Sequence, residues 1–206
     1  MPIVYDSGRH VYIEQPSNDI VQWSRVTSAL SNHNNRLNAR VDELANALSS
    51  QRITPQQWVN GMRATVKDAY IASYLAGKGG RNNMQPSDWG RVGGLLSNQY
   101  RYLNRFSSDI FDNELSEAQI AARARLYIAS STQAFERAKA ADRSISLPAY
   151  PGDGTSECMA NCKCDWSIIE FDDRWEASWM LSQAEHCDTC ISRSTLWSPL
   201  IIMKAA

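Results

Sequence analysis

Five cysteines offer the most specific chemistry in this chain, and all of them lie in its last quarter. They read Cys158-x3-Cys162-x-Cys164 and, after 22 intervening residues, Cys187-x2-Cys190, while residues 1–157 contain none. Thiolates bind zinc as a soft tetrahedral set, and two tight clusters at this separation suit it. Each cluster comes from one turn, and an intervening hairpin brings the two together. The spacing favours Cys162, Cys164, Cys187 and Cys190 as ligands, with Cys158 as the extra thiol or as an alternative to Cys162. His186 is a poor substitute, because ligands adjacent in sequence strain the geometry. The competing reading is a set of buried or disulfide-bonded thiols, which the odd count and a reducing compartment disfavour. A complete thiolate set leaves no coordination position open, so the Zn2+ would be structural rather than catalytic.

Other chemistry is less well marked. The loop Gly77-Lys78-Gly79-Gly80-Arg81 suggests a phosphate cradle, but it lacks the Gly-Lys-Ser/Thr spacing of a P-loop and ends a helix instead of following a strand. It reads better as a glycine-rich helix stop with solvated basic residues. Arg91, Arg101, Arg105, Arg123, Arg125 and Arg137 could meet DNA phosphates. Asp109, Asp112, Glu114 and Glu136 are available to pair with such arginines on a solvated face, which is the simpler account. His10, His33, His186 and the scattered carboxylates form no nucleophile–base pattern. The chain is therefore expected not to be an enzyme.

Bulk composition bounds the rest. A length of 206 residues allows one domain with an appendage or two small domains. With 21 Lys+Arg against 22 Asp+Glu, the net charge of -1 provides no global basic field for capturing nucleic acid. No apolar run approaches the ~20 residues that a membrane crossing needs. The start, Met-Pro-Ile-Val-Tyr-Asp, lacks the basic and apolar regions of a signal peptide. Residence in a reducing cytosol is the expectation.

The elements that must hold the thiols follow from periodicity. Residues 1–16 read as an irregular or extended N-terminal arm in which Val11, Tyr12 and Ile13 could form a short strand. From Ser17 the apolar residues recur at helical steps through Ile20, Trp23, Val26 or Thr27, and Leu30. Past a polar stretch at 31–35 they resume with Leu37, Val41, Leu44 and Leu48, as one long helix or two. Thr54-Pro55-Gln56-Gln57 is a capping box with Pro at the first helical position. Behind it Trp58, Met62, Thr65 or Val66, Ala69, Ser73 and Ala76 trace one face. Ser87-Asp88 opens a helix striped by Trp89, Val92, Leu96, Gln99, Leu103, Phe106 and Ile110. Ser116-Glu117-Ala118-Gln119 opens another through Ile120, Ala124, Tyr127 or Ile128, Ser131 and Phe135.

Short connections between such helices imply a bundle over 17–143. Pro and Gly mark 144–156 as a linker. Beyond it, Trp166 and Ile168, then Trp175, Ala177 and Trp179, alternate around Asp172-Asp173 as a β-hairpin. Residues 157–206 thus read as a Cys-rich zinc-binding module with a C-terminal tail. The fold class is mainly α, a helical bundle with a small zinc-ribbon-like β-hairpin module. Trp23, Trp58 and Trp89 are expected in the body's core. Trp166, Trp175, Trp179 and Trp197 are expected to give the module the interior it otherwise lacks. The apolar run Leu200-Ile201-Ile202-Met203 is expected to pack back on the body or on a partner.

Assembled, these residues resemble a family, the phage minor head proteins of the Mu-type head-morphogenesis group. The stretch from Pro151 through Asn161-Cys162-Lys163-Cys164 to Trp166 is similar to the Asn-Cys-x-Cys segment that ends many members. Glu185-His186-Cys187-Asp188-Thr189-Cys190 is similar to the cysteine pair that follows it. Residues 58–76, Gln99-Tyr-Arg-Tyr-Leu-Asn-Arg-Phe106, Leu115-Ser-Glu-Ala-Gln119 and Arg123-Ala-Arg-Leu-Tyr127 resemble the helical portion. The resemblance implies a structural virion protein, made in the host cytoplasm, that acts in head assembly at or near the portal vertex. Portal, capsid or neck proteins are its implied partners, homo-oligomerisation is compatible with the role, and DNA contact stays open. The chain is short for the group, which favours a neck or capsid-associated place over an internal one. The alternative is a zinc-ribbon nucleic-acid-binding protein. Against it, Lys163, Arg174, Arg193 and Lys204 are outnumbered by Asp and Glu within 157–206.

Overall fold

Strand pairing, not a helix, occupies the start of the chain. The structure, a computed structural model, describes residues 3–6, 11–112, 115–183 and 185–204, without the side chains of 3–5, 23 and 111. Strands β1 (Ile3–Asp6), β2 (Val11–Glu14) and β3 (Asp19–Val21) form an antiparallel meander, with Tyr12 opposite Val21 and Ile13 opposite Ile20. The helix expected from Ser17 therefore begins only at Trp23. Ile20 and Trp23 mimic a helical step, but Asn18 turns the chain at φ 59 and the β-branched Ile20 and Val21 suit a ladder. Ile13 and Val21 are buried, and the Tyr12 hydroxyl donates to the Ala76 carbonyl at 2.7 Å, which ties the meander to the body.

The body is built around one helix. α1 (Trp23–Ser49) runs unbroken through the polar stretch at 31–35, and α2 (Pro55–Lys78) packs against α1, α3 (Pro86–Asp112), α4 (Glu117–Ala129) and α5 (Thr132–Asp142). Both capping boxes are formed, at Thr54 with Gln57 and at Ser116 with Gln119. Trp58, Met62, Val66, Ala69, Tyr70 and Tyr74 of α2 are buried, and the Trp58 ring meets Phe106 edge-on at 5.7 Å. The core position expected for Trp23, like the pairing role of Glu114, lies outside the described residues.

Three expectations for the body change. Trp89 is not core: it is 38% exposed beneath the Arg81 guanidinium. Its neighbour Asp88 claims the inward position, and successive helical residues point about 100° apart, given 3.6 per turn. Lys78 is not solvated either. It is buried between Asp88 at 3.5 Å and Asp142 at 3.2 Å, just before Gly79 stops α2 in the left-handed conformation at φ 72.

Last, the single helix expected over 117–135 breaks at Ser130-Ser131. There Ser130 Oγ lies 2.8 Å from the Tyr70 hydroxyl and donates to the Tyr127 carbonyl at 2.9 Å, while Ser73 Oγ bonds Ser131 Oγ at 3.0 Å. Buried hydroxyls need partners, and serine finds them by leaving helical regularity.

The C-terminal unit carries the expected hairpin. β4 (Asp165–Glu170) pairs antiparallel with β5 (Arg174–Met180), with Trp166 opposite Trp179, and β6 (Leu200–Met203) adds to the free side of β5. The apolar tail, expected against the body or a partner, instead completes the module's own sheet as a third strand. A short helix, α6 (Asp188–Leu196), precedes it and is absent from the sequence reading. The connecting residues 144–156 are far from loose. Leu147, Ala149, Tyr150 and Ser156 are buried, the Trp166 indole donates to the Ala149 carbonyl at 3.0 Å, and Arg137 covers the Tyr150 ring. No helix is long and apolar enough to cross a membrane among the described residues.

Candidate metal centre

The hairpin places the cysteines. Cys158 and Cys162 flank a single 3-10 turn, Met159–Asn161, in which Met159 takes a positive φ of 51. Cys164 stands immediately before β4. Cys187 is the N-cap of α6 and Cys190 lies in its first turn. Because Asp165 pairs with Met180, the two feet of the hairpin lie side by side and both thiol groups meet at its base.

All five thiols are free and gather together. Cys158, Cys162 and Cys190 form a triplet whose sulfurs all lie within 4.8 Å of one another. The separations are 3.9 Å for Cys158–Cys190, 3.7 Å for Cys162–Cys190 and 3.7 Å for Cys187–Cys158. A disulfide needs about 2.05 Å. A tetrahedron with metal–sulfur bonds of about 2.3 Å has sulfur–sulfur edges of about 3.8 Å, the spacing found here. The donor set therefore fits a tetrahedral, thiophilic ion. Cys158, read from the spacing as the extra thiol or as an alternative to Cys162, sits in this triplet together with Cys162. His186 turns away to the Ser182 carbonyl, 2.9 Å from its Nε2.

Burial and crowding set the electrostatics. Burial pushes the Cys190 thiol up, and the neighbouring cysteines add to it. Cys158 is likewise raised, by burial first and by Cys162 and Cys187, with the Ser156 hydroxyl at 3.2 Å opposing. Cys187 goes the other way. Burial raises it, but the backbone N–H groups of Cys190 and Cys158 and the adjacent thiols outweigh that, as the N-terminal end of a helix should.

A tryptophan box supports the cluster. Trp166 meets Trp179 edge-on at 5.3 Å and stacks on Trp197 at 5.6 Å, in one buried group with Cys162, Cys164 and Cys190. Arg193 closes the box, with its guanidinium 5.1 Å from the Trp179 ring centre and 5.3 Å from that of Trp197, while donating to the Thr155 carbonyl at 2.9 Å. Its sequence signal was its place three residues after Cys190 and four before Trp197, on one face of α6. The body grips the box from α5. Lys139 Nζ donates to the Trp166 carbonyl at 2.7 Å, and the Trp166 N–H donates to Glu136 at 3.3 Å. Burial pushes the Glu136 carboxyl up, although Lys139 opposes it.

The fold and site define a helical body carrying a small β-module with a five-thiol cluster compatible with a metal. Comparison of the chain with protein-family models, curated proteins and solved structures finds no match.

Proposed function

We propose that the chain is a non-enzymatic structural protein of a tailed-phage particle, a minor head protein acting in head assembly against portal, neck or capsid proteins. The observation that carries this reading is the pair of motifs Asn161-Cys162-Lys163-Cys164 and Cys187-x2-Cys190, whose thiols share one cluster at the base of a hairpin. The ion best suited to such a set is Zn2+, which when bound supplies a tetrahedral cross-link without redox chemistry. Four thiolates leave no position for water or substrate, which suits a folding staple. The stapled sheet turns apolar side chains outward. Ile169 and Ile201 flank Glu176, Met203 lies beside Arg174, and both isoleucines and the methionine are exposed. That face is a contact surface of the kind a particle subunit needs.

Mass spectrometry of purified virions from the phage that encodes the chain tests the reading. Presence at a fixed copy number is expected, and absence from virions sinks it. Salt-dependent DNA binding by the intact protein would instead favour a nucleic-acid role.

A further inference from the structure

We infer that the free edge of β4 is a docking site for an extended, apolar, acid-bearing segment of another protein, which adds as a strand in the cleft between the C-terminal sheet and the N-terminal meander. The cleft has a volume of about 750 Å³, within the range of about 300–1,000 Å³ typical of ligand sites. Residues 165–168 of β4 line it, with residues 20–22 from the meander and Gly77, Lys139 and Arg143 from the body. Four consecutive residues of β4 border the cavity although alternate side chains point to opposite faces, so the cavity runs along the edge of the strand. It is distinct from the outward face of Ile169, Ile201 and Met203.

The hairpin register says which backbone groups face the cleft. The Phe171 N–H donates to the Arg174 carbonyl at 2.9 Å, so those two residues form a bonded pair. Bonded and non-bonded pairs alternate along an antiparallel ladder. Counting back, Ile169 with Glu176 and Ser167 with Ser178 are bonded, so Trp166 and Ile168 turn their N–H and C=O to the free edge. Trp166 agrees with this, since its N–H donates to Glu136 at 3.3 Å and its carbonyl accepts from Lys139 at 2.7 Å. Ile168 has no such cap. Its outward N–H and C=O take no partner among the described residues, and a half-buried edge left unpaired is a template for a further strand.

The lining sets the chemistry of the occupant. Ile20, Met180 and Leu181 border the cleft and are exposed, so the side chains of an incoming strand meet apolar surface. In strand addition the main-chain bonds supply affinity and alternate side chains supply selectivity. Among the charged residues that line the cleft, Lys139 and Arg143 stand against Asp165, so a segment carrying a carboxylate fits and a basic one is disfavoured. The segment belongs to another protein and not to a second copy. Among the described residues, the extended apolar stretches Ile3–Asp6 and Leu200–Met203 are already strands of the chain's own sheets, and donating one would undo a sheet.

The test titrates the full-length protein, purified under reducing conditions, with synthetic hexapeptides that carry Val, Ile, Leu or Phe at alternate positions and Thr or Glu between them. Residue-resolved amide hydrogen exchange is the readout. A saturating glutamate-bearing peptide should slow exchange at Ile168 about 10-fold or more. Replacing its glutamate by lysine should weaken binding about 3–5-fold, the scale of a partly exposed ion pair. The same peptide N-methylated throughout should not bind. Ile168→Pro removes the outward N–H at an edge position where proline is tolerated, and should abolish binding with the far-ultraviolet spectrum unchanged. Should that variant fail to fold, the N-methylated peptide decides alone. Four results overturn the inference: no binding by any peptide, binding that survives N-methylation, equal affinity for glutamate and lysine peptides, or protection at Ile201 and Met203 of β6 in place of Ile168. Protection of Ile168 that grows with protein concentration in the absence of peptide overturns it too, in favour of a second copy.

Discussion

The helical body and the C-terminal module hold themselves together by different means. Five helices of the body surround a continuous apolar interior, from Leu37 and Val41 of α1 through Trp58 and Met62 of α2 to Ile128 of α4. The N-termini of α2 and α4 are capped by side chains, and Tyr70 finds a polar partner in Ser130 inside the body. The module instead closes three short strands and one short helix over a few indole rings and sulfurs. A unit of that size gains only about 3–5 kcal/mol from its own core, whereas a structural thiolate–zinc site contributes on the order of 10 kcal/mol to folding. The body is stabilised by area, whereas on the proposed zinc reading the module is stabilised by a cross-link. The contrast explains why the thiols cluster where the helices end.

Paired indole deletions separate the two mechanisms. Trp166→Ala removes the ring contacts with Trp179 and Trp197 and the bond to Ala149, and Trp58→Ala empties the centre of the body. Each should cost about 3–5 kcal/mol. The helical melt should drop strongly for Trp58→Ala, while Trp166→Ala should chiefly weaken zinc retention against a chelator. Equal effects of both variants on both readouts would remove the distinction.

Two glycines probe it more finely. A methyl group on Gly77 would meet Ala138 Cβ at 2.6 Å and the Phe135 carbonyl, where α2 and α5 touch, so Gly77→Ala should cost about 1–3 kcal/mol by forcing the helices apart. Gly154 has open space around it but a φ of 82, and Gly154→Ala should cost about 1 kcal/mol, through backbone strain alone. Thermal denaturation of the two variants checks the order.

The smallest effect concerns pH. Burial raises the Asp88 carboxyl, but the N–H of Gln85, the Tyr74 hydroxyl, Lys78 and Arg91 outweigh it and hold the group below the usual carboxylate range. A carboxyl lowered on folding contributes stability above its unfolded value, and that contribution is lost as pH falls through the folded one. Denaturant midpoints measured in the body should therefore decline on acidification below about pH 4, with a shallower decline in Asp88→Asn. An unchanged slope in that variant would count against the network.

How much of this was legible beforehand depended on which residues spoke for themselves. Thr54 and Ser116 announce their helices because capping is local chemistry, and Trp166, Trp175 and Trp179 announce the hairpin by alternation. The start of α1 was misplaced because Ile20 and Trp23 satisfy a helical step by coincidence, while the pairing of Ile20 with Ile13 is a tertiary fact. Trp89 was misjudged because hydrophobicity says nothing about whether Asp88 beside it is needed inside. The gathering of the five thiols was foreseen from spacing, but the central place of Cys158 was not. That depends on the left-handed turn at Met159, which no residue type there signals.

The central claim, that a metal folds the module while the body folds without it, is tested most directly by circular dichroism of the reduced protein before and after removal of zinc by a strong chelator. The account predicts that the near-ultraviolet signal of the packed Trp166, Trp179 and Trp197 rings collapses while the far-ultraviolet helical signal largely persists. Both signals surviving chelation, in protein from which the metal has demonstrably been removed, would contradict it.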